Sequence, residues 1–234
     1  MWTADEFFSD WHTLEAASLF EGTKWVWEAL ERLPAWLEER IVLAQEKGWP
    51  SGEVATGAWL GPQVYVAPGA VVEPGAYIVG PAWVGAGARI RHAAYVRENV
   101  YVGPHALVGH ASEVKGSILL DGAQAPHFNY VGDSILGRKV NLGAGTRLSN
   151  LKNDGTPIRI PAPDGQRIDT GRRKLGAILG DEVMTGCNTV ANPGTLVGPG
   201  THIYAGALLR GWVPGRQLVK VRQTQEVVGR RAAS

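Results

Sequence analysis

From Val54 onward an aliphatic residue returns every six positions: Val54, Leu60, Val66, Val72, Ile78, Val84, Ile90, Val96, Val102, Val108, Val114 and Leu120. A small or β-branched residue follows most of them by four positions, as at Ala58, Val64, Ala70, Ala76, Ala82, Ala88, Ala94, Val100 and Ala106. Pro-Gly and Gly-Pro pairs fill the spaces between. Phase held over so many units marks an internal repeat, which takes precedence over any local reading. Six residues suit one short strand and one corner. Three units close a triangular coil of about 18 residues, and stacked coils place parallel strands about 4.8 Å apart. The recurring aliphatic then points into the prism, and the small residue lets the chain turn without crowding. The pattern predicts a mainly β chain, a parallel β-helix.

After Leu120 the phase slips. Aliphatics resume at Val131, Leu136, Leu142 and Leu148, and the five-residue step from Val131 to Leu136 predicts one short side. Residues 152–176 leave the repeat, which returns at Leu179, Thr185, Ala191, Val197, Ile203 and Leu209 and ends near Trp212 to Gly215. A loop this long inside a compact domain is usually a functional excursion. Its segments Ile158–Ile160 and Gln166–Ile168 flank Pro and Gly turns and predict a small hairpin. It carries Lys152, Arg159, Arg167, Arg172, Arg173 and Lys174 against three aspartates. Two readings follow: a solvated charged flap, or an anion-binding lid over a phosphate or coenzyme.

Residues 1–50 differ in kind and hold six of the nine tryptophans. Thr3 and Glu6 have capping-box spacing for a first short helix. Trp25, Val26, Ala29, Leu30, Leu33, Leu37 and Ile41 recur at helical spacing, and Pro34 is expected to kink or divide that helix. The expected organisation is an N-terminal α-helical cap over 1–50, a β-helix over 51–215 with an excursion at 152–176, and a tail over 216–234. The cap either packs on the β-helix or docks a partner or lipid. Residues Leu218 to Gln225 read as one more strand or an arm to a neighbouring subunit, with a frayed end from Val227.

Composition narrows the setting. A formal charge of +1 gives no nucleic-acid footprint. The single cysteine, Cys187, precludes an internal disulfide and fits a reducing compartment. The first residues have no basic segment followed by an apolar run, and no window approaches the roughly 18 apolar residues of a membrane span. The expectation is a cytoplasmic protein with neither a membrane nor a nucleic-acid partner.

Candidate chemistry gathers where the repeat breaks. Residues 124–134 read Gln-Ala-Pro-His-Phe-Asn-Tyr-Val-Gly-Asp-Ser, and residues 140–146 read Val-Asn-Leu-Gly-Ala-Gly-Thr. A β-helix fills its own interior, so a site must lie on a face, at an extruded loop or between columns. An imidazole accepts a proton near neutral pH, which suits His127 to general-base work. The competing reading is a histidine that satisfies backbone carbonyls at an irregular corner.

These two stretches, with Asn150, resemble the acetyltransferase domain of bifunctional bacterial glucosamine-1-phosphate acetyltransferase/uridylyltransferases, within the hexapeptide-repeat acyltransferases. The likeness covers roughly residues 85–225 and is tightest over 124–150. It implies a left-handed parallel β-helix, a homotrimer with sites between columns, and acyl transfer from acetyl-CoA to an amino sugar phosphate or nucleotide-sugar. It implies His127 as base and Tyr130, Asn141 and Asn150 toward the acceptor, with Arg97 and Lys115 on its phosphate. Lys174 matches a further acceptor lysine if the loop is aligned correctly. The acyl-CoA positions fall near Ala144, Cys187, Ala205 and Arg222. At Cys187 the plain alternative is a small apolar residue.

Departures from that family bear on the acceptor. Where the family reads Asn-Tyr-Asp-Gly, this chain reads Asn150, Leu151, Lys152, Asn153, Asp154 and Gly155, so a substrate-facing tyrosine is lost. The helical cap stands where the family carries a nucleotidyltransferase domain. A separate nucleotidyltransferase is therefore an expected partner, and Mg2+ would enter only with it. Two other functions compete. His105 and His110 have a spacing similar to that of γ-class carbonic anhydrases, with His92 as third candidate for a zinc site. A non-catalytic trimeric assembly module would keep the column while the cap binds a partner.

Overall fold

The computed structural model describes residues 2–162 and 164–229. The chain is a left-handed parallel β-helix with a helical N-terminal cap. Its three faces are parallel sheets of two- to four-residue strands. The first face stacks Glu53–Val54, Val71–Val72, Arg89–Ile90, Leu107–His110 and Gln124–His127, passes through a bridge at Asn141, and continues with Met184–Thr185, His202–Ile203 and Leu218–Val219. The second runs from Trp59–Leu60 through Glu113–Lys115 and Tyr130–Gly132 to Leu208–Leu209. The third runs from Val64–Val66 to Trp212–Val213. The first edge is the turn from first to second face, the second edge that from second to third, and the third edge that from third back to first.

The recurring aliphatics fill the prism as expected, and Val72, Ile78, Val84, Ile90, Val96, Val102, Val108 and Val114 are fully buried in one cluster. The slip differs from the expectation. Leu119, which pairs with Val102 and Leu136, faces the interior, while Leu120 belongs to the cluster under the cap. Hence there are two five-residue sides, Val114 to Leu119 and Val131 to Leu136, and both lie between the second and third faces. Ala125, aligned with Val108, is the interior residue that follows. The apolar Leu119-Leu120 pair hides the true phase, because one leucine fills the prism and the other meets the cap.

The cap covers the third face. Helix α1 spans Ala4–Phe7 and helix α2 spans Ala29–Glu46. Thr3 makes no side-chain capping bond. Glu28 instead caps the turn before α2, accepting from the N–H groups of Lys24 and Trp25 at 2.8 and 3.3 Å. Pro34 does not divide α2. Leu30, Leu33, Leu37 and Ile41 bury one continuous stripe on either side of it, and that packing outweighs the single missing backbone donor. The outward residues of the third face, Trp83, Tyr101, Ile118, Ile135, Ile178 and Leu196, are buried beneath the cap and the excursion.

The excursion is the expected hairpin, with Arg159–Pro161 antiparallel to Arg167–Asp169. Ile158 and Ile160 are buried in the cap cluster, so it is a seated element. Leu218–Val219 adds a strand beside His202–Ile203. Residues 230–234, within the expected frayed end, lie outside the described residues. No helix among the described residues is long and apolar enough to cross a membrane.

Candidate active site

The chain turns the first edge at His127. Phe128 takes a positive φ of 54° and is 57% exposed, so the turn projects outward. Asn129 fixes it from inside. Its Oδ1 accepts from the His127 N–H at 3.0 Å, its Nδ2 donates to the Gly143 carbonyl at 2.9 Å, and its own N–H donates to Ser112 Oγ at 3.1 Å. The His127 side chain stands exposed on this edge.

Vertical backbone bonds stack the expected coenzyme positions beneath it. The His127 carbonyl accepts from Gly145 at 3.0 Å, the Ala144 carbonyl from Asn188 at 2.8 Å, and the Cys187 carbonyl from Gly206 at 2.8 Å. His127, Ala144, Cys187 and Ala205 therefore form one column, with Cys187 and Ala205 exposed. Arg222 is exposed in the chain that continues past this edge from Leu218–Val219. The Ala144 N–H has no hydrogen-bond partner among the described residues.

Most expected acceptor residues stand elsewhere. Asn141 is half-buried on the first face, bridged between Gln124 and Met184. Tyr130 is on the second face, and its hydroxyl donates to Asn150 Oδ1 at 3.4 Å. Arg97, Lys115 and Asn150 lie at the second edge, and Lys174 is exposed there in a bridge with Leu151. The short Val131–Leu136 side is at this edge too. It therefore does not gather His127, Tyr130 and Asn141 around one corner.

The second-edge residues form one charged network. Arg97 pairs with Glu113 at 3.1 Å and Glu98 at 3.5 Å. Lys115 lies 3.8 Å from Glu98 and 3.6 Å from Asp133. Asp133 in turn accepts from Asn150 Nδ2. The Glu113 carboxylate bonded to Arg97 raises the guanidinium pKa. Burial, reinforced by Glu113 and Asp133, raises that of the Tyr130 phenol, which is a neutral donor. Both cations are already compensated within the chain.

The residue pattern assigns no role to Asn129, Glu98, Glu113 or Asp133. A signal for Asn129 existed. Successive coils place Ala76, Ala94, Ser112, Asn129, Thr146, Thr189 and Ala207 at one stacked position before the second face. The polar members are buried, at 1% exposure for Ser112 and 2% for Asn129. A switch from Ala to Ser, Asn and Thr at an inward corner marks the coils whose edges must be held by side chains.

The three zinc candidates do not converge within the chain. His92 and His110 stack at the first edge, rings 5.3 Å apart and 6° from parallel, whereas His105 occupies the third edge. Among the described residues no group of three or more His, Cys, Asp or Glu side chains is placed to hold a metal ion.

The family profile of the GMPPB C-terminal domain matches residues 78–206, more than half of the chain. The bifunctional sugar-1-phosphate nucleotidylyltransferase/acetyltransferase of Sulfurisphaera tokodaii is 44% identical over 97 residues, covering 42% of this chain and 24% of that protein. The bifunctional protein GlmU of Methanococcus maripaludis is 41% identical over 97 residues, covering 42% and 23%. The chain thus spans about a quarter of the length of these curated relatives. A solved structure of Arabidopsis UDP-N-acetylglucosamine acyltransferase is 15% identical with a TM-score of 0.35, covering 72% of this chain and 69% of that one. One of GDP-perosamine N-acetyltransferase from Caulobacter crescentus is 19% identical with a TM-score of 0.24, covering 80% and 70%. Likeness at these scores carries no weight beside the profile match. Through residues 78–206, the column that carries His127, Tyr130, Asn141 and Cys187, the chain belongs to the GMPPB C-terminal domain family.

Proposed function

We propose that the chain is an acyl-CoA-dependent N-acyltransferase, acetyl-CoA being the donor and an amino sugar phosphate or related nucleotide-sugar the acceptor, with His127 as general base. The observation that carries this reading is the first-edge column. An exposed imidazole on a clamped turn stands over Ala144, Cys187 and Ala205, with an unpartnered N–H at Ala144. The name of one relative, a bifunctional sugar-1-phosphate nucleotidylyltransferase/acetyltransferase, supports the same class.

The chemistry balances on these groups. The acceptor nitrogen attacks the thioester carbonyl carbon, and its proton passes to the His127 imidazole. The oxyanion of the tetrahedral intermediate takes the Ala144 N–H, a donor of the kind worth about 2.7–4 kcal/mol. Collapse breaks the C–S bond, and the thiolate recovers the proton from the imidazolium. Tyr130, Asn141, Asn150 and Lys174 orient the sugar. Arg97 and Lys115 receive its phosphate in exchange for part of their bonding to Glu98 and Glu113. The acceptor residues and the coenzyme column occupy different edges of one chain. A homotrimer, in which one copy's second edge meets another's first, would complete the site.

The test is release of free thiol from acetyl-CoA with a panel of amino sugars and their phosphates. Turnover with at least one phosphorylated amino sugar is expected. Absence of turnover together with absence of coenzyme A binding would instead favour a non-catalytic assembly module.

A further inference from the structure

The excursion borders a cavity of about 690 Å3 between the hairpin and the lower second edge. Lys152, Arg159, Arg167 and Arg210 line it against a single carboxylate, Asp154. That is a net lining charge of three in a chain whose formal charge is +1. The cations come from the loop's first turn, from both hairpin strands and from the last full coil.

Their bonding differs from that of Arg97 and Lys115, which carboxylates hold on both sides. Arg159 shares Asp169 at 3.2 Å. Lys152 is aimed by Thr156 Oγ1 at 3.2 Å and the Pro157 carbonyl at 2.9 Å, neither of them charged. The side chains of Arg167 and Arg210 have no hydrogen-bond or ion-pair partner among the described residues.

The walls are fixed. Ile158 and Ile160 anchor the hairpin in the cap cluster. Gly194, at φ +77°, admits it, since a Cβ there would meet the Ile158 side chain at 2.6 Å. We propose that this cavity binds a diphosphate ester. Each unpaired guanidinium offers a planar fork to one phosphoryl group, and Lys152 adds a point charge. The space exceeds a diphosphate alone, and Pro157, Pro161 and Pro193 give an apolar wall for the organic remainder. A nucleoside diphosphate and the diphosphate bridge of coenzyme A share this chemistry. With a nucleoside diphosphate the proposal goes beyond the acyl-transfer reading, with coenzyme A it rests on that reading, and in either case it is read by binding alone.

The experiment is calorimetric titration of the full chain with inorganic pyrophosphate, and with inorganic phosphate at matched ionic strength. Uridine diphosphate and coenzyme A then serve as competing arms. Saturable pyrophosphate binding, at least about tenfold tighter than phosphate, is expected, and so is a loss of about tenfold or more in the double variant Arg167→Ala/Arg210→Ala. Both side chains are exposed, and an unchanged melting temperature would show the variant folded. Arg89→Ala, an exposed arginine on the first face, should bind as wild type. The arm that displaces pyrophosphate at the lower concentration identifies the source of the diphosphate. Absent saturation, equal affinity for phosphate, an equal loss in Arg89→Ala, or displacement by neither arm would each overturn the proposal.

Discussion

The backbone N–H of His127 donates to Asn129 Oδ1 at 3.0 Å, across a turn whose middle residue, Phe128, is left-handed. The same asparagine amide donates to Gly143 on the coil below. One buried side chain thus sets the height and direction of the histidine. Asn129→Ala would leave the His127 N–H without this acceptor, at about 1–3 kcal/mol, while the Gly143 carbonyl keeps its bond from the Thr146 N–H. Lower stability in denaturant titration is expected, with a fall in kcat larger than the change in KM. Asn129→Asp keeps the acceptor for His127 and should recover part of the loss. Equal kcat in wild type and Asn129→Ala would remove the positioning role.

The cap is held by Glu15. Its Oε1 accepts from Arg40 at 2.8 Å, and its Oε2 accepts from Tyr101 Oη at 3.1 Å and Trp83 Nε1 at 3.3 Å. Trp83 and Tyr101 are buried third-face residues. Glu15→Ala should cost about 2–4 kcal/mol, because it strands a phenol, an indole and a guanidinium together. Glu15→Gln should cost less, since an amide oxygen still accepts. Urea unfolding of the three proteins measures the difference.

Tyr101 makes that contact dependent on pH. Burial, with Glu15 and Asp121 adding to it, pushes its phenol well above the ordinary 10.0. The folded chain therefore holds this proton more tightly than the unfolded chain. Its contribution to stability is complete below about pH 10 and is lost as pH rises from there toward the folded value. Tyr101→Phe should cost about 1 kcal/mol near neutral pH and give a flatter fall in stability above about pH 10. Unfolding free energies of both proteins across this range give the comparison.

Much of the architecture is legible in the residues. The six-residue period fixes the prism, its interior aliphatics and the excursion, because a stacked coil admits few residue types at its interior and corners. The phase slip is less legible, since Leu119 and Leu120 are equally apolar and only the cap distinguishes them. His127 stands out as a polar residue in an aliphatic repeat. Asn129 shows only as part of the switch from Ala to Ser, Asn and Thr at its stacked corner, while its bonds to Gly143 and Ser112 lie in neighbouring coils that spacing does not connect. The bonds from Arg97 and Lys115 to Glu98, Glu113 and Asp133 do not stand out, since one-dimensional spacing shows that cations recur without showing what lies between them.

Lys115 tests the acceptor's charge. It stands between Glu98 and Asp133, so a sugar phosphate must compete with both. Lys115→Ala should raise KM for glucosamine 1-phosphate by about tenfold or more, the worth of one charge-assisted contact, and leave KM for unphosphorylated glucosamine nearly unchanged. Equal effects on the two acceptors would place the phosphate elsewhere.

The central claim is that His127 takes the proton from the attacking amine. Its most direct test is steady-state thiol release from acetyl-CoA with glucosamine 1-phosphate, or with the best acceptor of the panel, by wild type and His127→Ala. General-base catalysis predicts a kcat lower by about 10²–10⁴-fold in the variant, with coenzyme A binding retained. A variant that turns over at the wild-type rate would contradict the account.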